Sequence, residues 1–119
     1  MKYYKIDEKE EIDGNNPKEI SLEVALREID KQSIDPFGDI LEYFIGFVKN
    51  NEEKIQFIRY EENSWYIDVP ILEKGENSHS LNDDDLSTEK VKEIVKRFFL
   101  GENWRSLCNF KEESERKGS

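Results

Sequence analysis

The run Lys54-Ile55-Gln56-Phe57-Ile58-Arg59-Tyr60-Glu61-Glu62-Asn63-Ser64-Trp65-Tyr66-Ile67-Asp68-Val69-Pro70-Ile71 decides the architecture. Trp65, Ile67, Val69 and Ile71 alternate with Tyr66, Asp68 and Pro70, the period-two pattern of a strand with one buried face. Ile55 and Phe57 set the same alternation in Lys54–Tyr60, and Glu61-Glu62-Asn63-Ser64 between them is a turn. Pro70 donates no backbone hydrogen bond, so the strand is expected to end there or to lie at a sheet edge. Upstream, Ile40 to Lys49 is aromatic and β-branched, and Asn50-Asn51-Glu52-Glu53 separates it from Lys54 as a second turn. The three runs predict a β-meander with one face buried.

Two helices bracket this meander. Leu22, Ala25, Leu26 and Ile29 fall at i, i+3, i+4 and i+7 behind Ser21, a suitable N-cap, with charged residues on the opposite side. Val91, Ile94, Val95 and Phe98 repeat the pattern behind Ser87 or Thr88, and Gly101 is placed to end that helix. Lys2–Ile6 and Arg105–Lys111 read as short flanking strands. Residues 7–19, 33–38 and 73–87 read as connectors, with turn signals at Asp13-Gly14-Asn15-Asn16-Pro17 and Asp35-Pro36. The expected fold is α+β: an antiparallel meander sheet with two amphipathic helices on one face, in the order β-α-β-β-β-α-β. Residues 1–111 form one domain, and 112–119 a charged, frayed tail.

Charge narrows the function. The 119 residues carry a formal net charge of −10 and only 35% hydrophobic residues, but the seven Phe, five Tyr and two Trp sit inside the periodic segments and favour a folded core. Residues 61–72 hold Glu61, Glu62 and Asp68 with no Lys or Arg. Residues 73–87 hold Glu73, Glu76, Asp83, Asp84 and Asp85 against Lys74. These 27 residues therefore supply −7 of the −10, whereas the second helix is net positive. Such a surface repels nucleic acid and anionic membranes and attracts basic protein. The start of the chain has no signal-like apolar run and no stretch approaches a membrane span, so a cytoplasmic location is expected.

No phosphate-binding loop or nucleophile elbow is present. His79 lies in polar Asn77-Ser78-His79-Ser80 and reads as a solvated loop residue. Cys108 reads as a structural thiol in the last strand, and Trp65 and Trp104 as core. Asp83, Asp85 and Glu89 could offer oxygens to Ca²⁺ or Mg²⁺, but lack the Gly and distal Glu of a calcium loop. No enzyme activity, metal or cofactor is expected. The expected contacts for a partner are Glu61, Glu62, Tyr66, Asp68, Asp83, Asp84 and Asp85. If Trp65, Ile67 and Val69 point inward, Tyr66 and Asp68 point outward beside the acids, an aromatic anchor within a charged rim.

The element order, together with Val91, Val95, Phe98, Phe99, Leu100 and Gly101 and then Leu107 and Phe110, resembles the type-one Imm immunity proteins of bacterial polymorphic toxin (contact-dependent inhibition) systems. This chain has Trp104 where that family often has Pro, and Asn109-Phe110 where it often closes with Trp. The resemblance implies an inhibitor of a cognate protein toxin, commonly a basic nuclease domain, with no nucleic acid bound directly. The alternative is an acidic regulatory module or a mimic of nucleic-acid charge without a toxin partner.

Overall fold

The computed structural model describes residues 1–35, 43–49, 53–73 and 76–112, and the side chains of all of these except 71–73, 76–80, 111 and 112. Among these residues, eight antiparallel strands form one sheet: β1 (Lys2–Ile6), β2 (Glu11–Ile12), β3 (Lys18–Glu19), β4 (Phe44–Val48), β5 (Lys54–Glu61), β6 (Ser64–Glu73), β7 (Glu76–Leu86) and β8 (Lys111–Glu112). The spatial order is β2-β1-β4-β5-β6-β7-β8, with β3 also paired to β1. Helix α1 (Leu22–Lys31) follows β3, and α2 (Thr88–Leu100) follows β7. The chain is α+β, with the expected meander at the centre of a wider sheet.

Both helices start where a side chain can serve their first free N–H groups. Ser21 Oγ accepts from Val24 N at 3.3 Å and Ser87 Oγ from Lys90 N at 3.1 Å. Gly101 ends α2 in the left-handed conformation, φ 75°, which glycine adopts without a Cβ penalty. The register aligns Ile45 with Phe57 and Phe57 with Ile67, so these side chains share one face. Ala25 and Ile29 of α1 and Val91, Ile94, Val95 and Phe98 of α2 pack on that face in a single core with Trp65 and Trp104. Lys92 of α2 and Asp30 of α1 join the helices by an ion pair of 2.7 Å.

Four expectations change. The stretch 73–87 is not a loop, since residues 76–86 form β7, paired along β6 from Glu73↔Glu76 to Trp65↔Leu86. Its polar side chains hide a strand that the backbone ladder makes without help from apolar alternation. A bulge completes the disguise. Ile67 pairs with Asp83 but Trp65 with Leu86, so one extra residue sits in β7, and Asp85 takes φ 62° there. That residue inverts the alternation. Leu81 and Asp83 lie on the core face, and after the bulge Leu86 does too, 3% exposed. Asp is among the few residues besides glycine that tolerate this backbone region.

Pro70 does not end its strand, because β6 runs to Glu73. Its pairing with β5 reaches only Gln56↔Asp68, so Pro70 lies past the last β5 pair, where a missing donor costs little. Residues 7–19 are not all loop, because β2 and β3 fold back onto β1. The closing strand expected over 105–111 is a 3₁₀ turn, Arg105–Leu107, followed by β8, which pairs with Leu81 and Asn82 of β7. Trp104 stacks edge-on against Phe98 and Phe110, which turns this segment across the core instead of along the sheet. The turn at 50–52, residues 36–42 and the tail from 113 lie outside the described residues.

Candidate functional site at the acidic end of the sheet

The β5–β6 turn is held from beneath. Arg59 Nε and Nη2 donate to the carbonyl of Glu62 at 3.0 and 2.7 Å, and Nη1 donates to the carbonyls of Asp30 and Gln32 at the end of α1. The guanidinium also lies 5.3 Å from the centre of the Trp65 ring. Across the turn, Asn63 Oδ1 accepts from Thr88 N at 2.8 Å, and Trp65 Nε1 donates to Thr88 Oγ1 at 2.9 Å. The turn is therefore fastened to both helices, and Glu61 and Glu62 project from it exposed.

The β7 bulge meets the turn at Tyr60. Asp85 N donates to Tyr60 Oη at 3.0 Å. Partial burial, and then the charges of Asp85, Asp84 and Glu61, push the Tyr60 hydroxyl above its ordinary range against the lowering effect of the Asp85 N–H. Acids separated by more than 20 residues in the chain thus converge on one phenol ring. Glu8 and Glu10 in the β1–β2 turn and Asp30 at the end of α1, all exposed, lie at the same end of the sheet. The two nearest helix features reinforce one another: the α1 C-terminus brings carbonyl dipoles, and Arg59 is consumed in holding them.

Of the seven expected contacts, four form this cluster: Glu61, Glu62, Asp84 and Asp85. Asp83 does not join it. It sits opposite Ile67 on the core face, half-buried, and its Oδ2 accepts from Asn109 N at 2.9 Å, fixing the C-terminal segment. Tyr66 and Asp68 point away from the helices as expected but are half-buried. Asp68 lies mid-sheet in a transverse row of Tyr4, Gly46, Gln56, Asp68 and Asn82. In that row the Tyr4 hydroxyl donates to Gln56 Oε1 at 2.8 Å, and burial, followed by the Asp68 charge, pushes it up to about 12. Tyr66 pairs with Ile58, one step nearer the acidic end.

Sequence reasoning missed Tyr60 and Arg59. In sequence both read as the end of a strand; the β7 pairing brings Tyr60 against Asp85, and the end of α1 engages Arg59. Cys108 follows the 3₁₀ turn half-buried, not within a strand, and burial and then Asp83 push its thiol up to about 11, against Lys90 and Arg105. His79 belongs to β7 by its backbone, opposite Ile71, and its side chain lies outside the described residues. Among the described residues, no cluster of three or more His, Cys, Asp or Glu has the arrangement of a metal site, and no helix is long and apolar enough to cross a membrane. No family model, curated protein or solved structure matches the chain.

Proposed function

We propose that this chain is an immunity protein that neutralises a cognate toxin by covering the toxin's basic surface with the acidic end of the sheet. The observation that supports it best is the convergence of Glu61, Asp84 and Asp85 around Tyr60, with Glu62 exposed on the same turn, which is anchored to both helices. Rigid, like-charged groups cost mutual repulsion in the free protein, and a cationic partner relieves it. Pre-anchoring also spares the partner the entropy of ordering these side chains. A nuclease carries basic surface because it binds phosphates, so an acidic inhibitor gains association rate by steering and occludes the same groups that bind substrate. Glu61, Glu62, Asp84 and Asp85 are the contacts in this reading, with Tyr66 at their border. Asp68 and Asp83 serve the fold.

The test is growth rescue. The C-terminal domain of the protein encoded immediately upstream is expressed with and without this chain. Arrest alone and growth together support the reading. A harmless neighbour, or one that stays toxic beside this chain, removes it.

A further inference from the structure

A cavity of about 530 Å³ opens between the β2–β3 loop and the face of the sheet that points away from the helices. Strands β1, β4 and β5 line it with Tyr4, Phe44, Gln56 and Lys54, and the loop lines it with Asp13 and Asn15. Phe44 and Gln56 are half-buried, and Asp13, Asn15 and Lys54 are exposed, so each keeps surface that an entering molecule can touch. Its framework is fixed. Tyr4, 6% exposed, lies over Gly46, where a Cβ would overlap its ring, and against Gly14, whose Cβ would stand 3.6 Å from it. The loop is closed by Asn16 N donating to the carbonyl of Asp13 at 2.9 Å and by Asn15 N donating to Asp13 Oδ1 at 3.0 Å. The Tyr4 and Phe44 rings meet edge-on with centroids 5.9 Å apart.

The polar groups form a mixed set. The Tyr4 hydroxyl, kept protonated by burial and then by the Asp68 charge, donates to Gln56 Oε1 at 2.8 Å, which leaves the Gln56 NH₂ as a donor. Lys54 supplies donors alone and has no ion pair among the described residues. The Asp13 carboxylate supplies acceptors alone, and the Asn15 amide supplies both. A ligand of one net charge meets a like charge here, either Asp13 or Lys54, and an anion also meets a chain of net charge −10.

From this arrangement we infer that the cavity binds a neutral pyranose sugar with equatorial hydroxyls. Each hydroxyl both donates and accepts, so Lys54, Asp13 and the two amides can all be met by one molecule. The C–H faces of such a ring are apolar, and Phe44 offers an aromatic surface to cover one of them. The volume lies within the span of small-molecule sites, roughly 300–1,000 Å³. None of these residues belongs to the acidic end, so sugar binding and toxin neutralisation are independent.

The test is ¹H–¹⁵N NMR on the full chain with methyl β-D-glucopyranoside, titrated to about 50 mM so that a site of millimolar Kd saturates. The expected result is a saturable shift of the Asn15 and Gln56 side-chain amides and of the Gly14 and Lys54 backbone amides. Asp13→Asn keeps the acceptor that closes the turn, and Lys54→Met keeps the apolar stem. Each removes one charged partner and should weaken binding about threefold to tenfold. Phe44→Leu removes the ring and should also weaken binding, with thermal melting confirming a folded protein. If Phe44→Leu does not fold, the two surface variants still decide. Sorbitol, an open-chain polyol, and cyclohexylmethanol, a ring without the set of hydroxyls, should leave the same amides unmoved. An equal response to either, a stronger one to phenylalanine, no saturable shift with the glucoside, or wild-type binding by both Asp13→Asn and Lys54→Met overturns the inference.

Discussion

Lys5 is the place to perturb first, because it is a lysine buried on the core face of β1. Its side chain is 2% exposed, and Nζ lies 2.7 Å from Asp7 Oδ2 and 2.9 Å from Glu28 Oε1, both carboxylates themselves largely buried. Replacing it by Met keeps the apolar stem and leaves two acids without their cation. Breaking a buried pair in this way costs about 3–5 kcal/mol. Asp7 retains hydrogen bonds from Lys9 N and Glu10 N, each 2.9 Å, which argues for the lower part of that range. Against a total stability on the order of 5–15 kcal/mol this is a large fraction. In urea the midpoint should fall by about 2 M. The triple variant Lys5→Met, Asp7→Asn, Glu28→Gln removes the stranded charges and should recover most of the loss. pH supplies an independent readout. Burial pulls the Asp7 carboxyl up, but Lys5 and the two backbone N–H groups outweigh it and hold it below the ordinary value of 3.8. That stability is present above the unfolded value and is lost as pH falls through the folded one. Burial likewise pulls Lys5 down, and its two carboxylate partners hold it above the ordinary 10.5, so its share is lost only as pH rises beyond that. Lys5→Met should therefore show a shallower acid limb than wild type below about pH 4. A loss under 1 kcal/mol, or an unchanged acid limb, would refute the buried triad.

Four further tests separate the parts of the molecule. Gly46→Ala places a methyl group on the Tyr4 ring, which leaves no room for it, and should cost about 1–3 kcal/mol by thermal melting, with Tyr4→Ala in the same chain relieving the overlap. Glu61→Gln with Asp84→Asn should slow association with the proposed toxin partner about tenfold at low salt and flatten its ionic-strength dependence in stopped-flow measurements. Asp83→Asn should leave that rate alone but loosen the C-terminal segment by about 1 kcal/mol, read by hydrogen exchange at Asn109. Cys108, with its thiol pushed from 9.0 up to about 11, should react with a thiol reagent about a hundredfold more slowly in native protein than in urea. Equal rates would show the thiol to be solvated.

The sequence announced those elements whose side chains report their own burial. Helices α1 and α2 and strands β4 to β6 carry apolar residues at the period of their geometry, so pattern and structure coincide. Strand β7 carries almost none. Its ladder to β6 is a backbone property, and its two core-facing ends, Leu81 and Leu86, fall on opposite parities because the bulge at Asp85 inserts one residue between them. A period-two reading of 76–86 therefore fails even where the strand is regular. The C-terminal segment fails for a different reason: Trp104, Leu107 and Phe110 follow neither period, since Trp104 is set by an edge-on contact with Phe98 of α2 and Phe110 by one with Trp104.

The candidate site divides along the same line. Glu61, Glu62, Asp84 and Asp85 are visible in sequence as acids, but that they form one surface depends on Trp65 pairing with Leu86, which brings the bulge alongside the β5–β6 turn. The same pairing explains why Asp83 separates from its neighbours. Three consecutive aspartates cannot all face one way in a strand, so the pleat turns one inward, and the inward site is tolerable only because Asn109 N and Asp84 N hydrogen-bond its carboxylate. The middle of the triplet stays on the solvent side, and the third takes the left-handed position that the bulge requires. A run of acids that looks uniform in sequence thus performs three tasks: Asp83 holds the C-terminal segment, Asp84 supplies charge, and Asp85 sets the bulge and, through Tyr60, ties the charge to the β5–β6 turn. Neutralising the triplet as a block would confound these tasks, and only single substitutions can assign association rate to Asp84 and stability to Asp83.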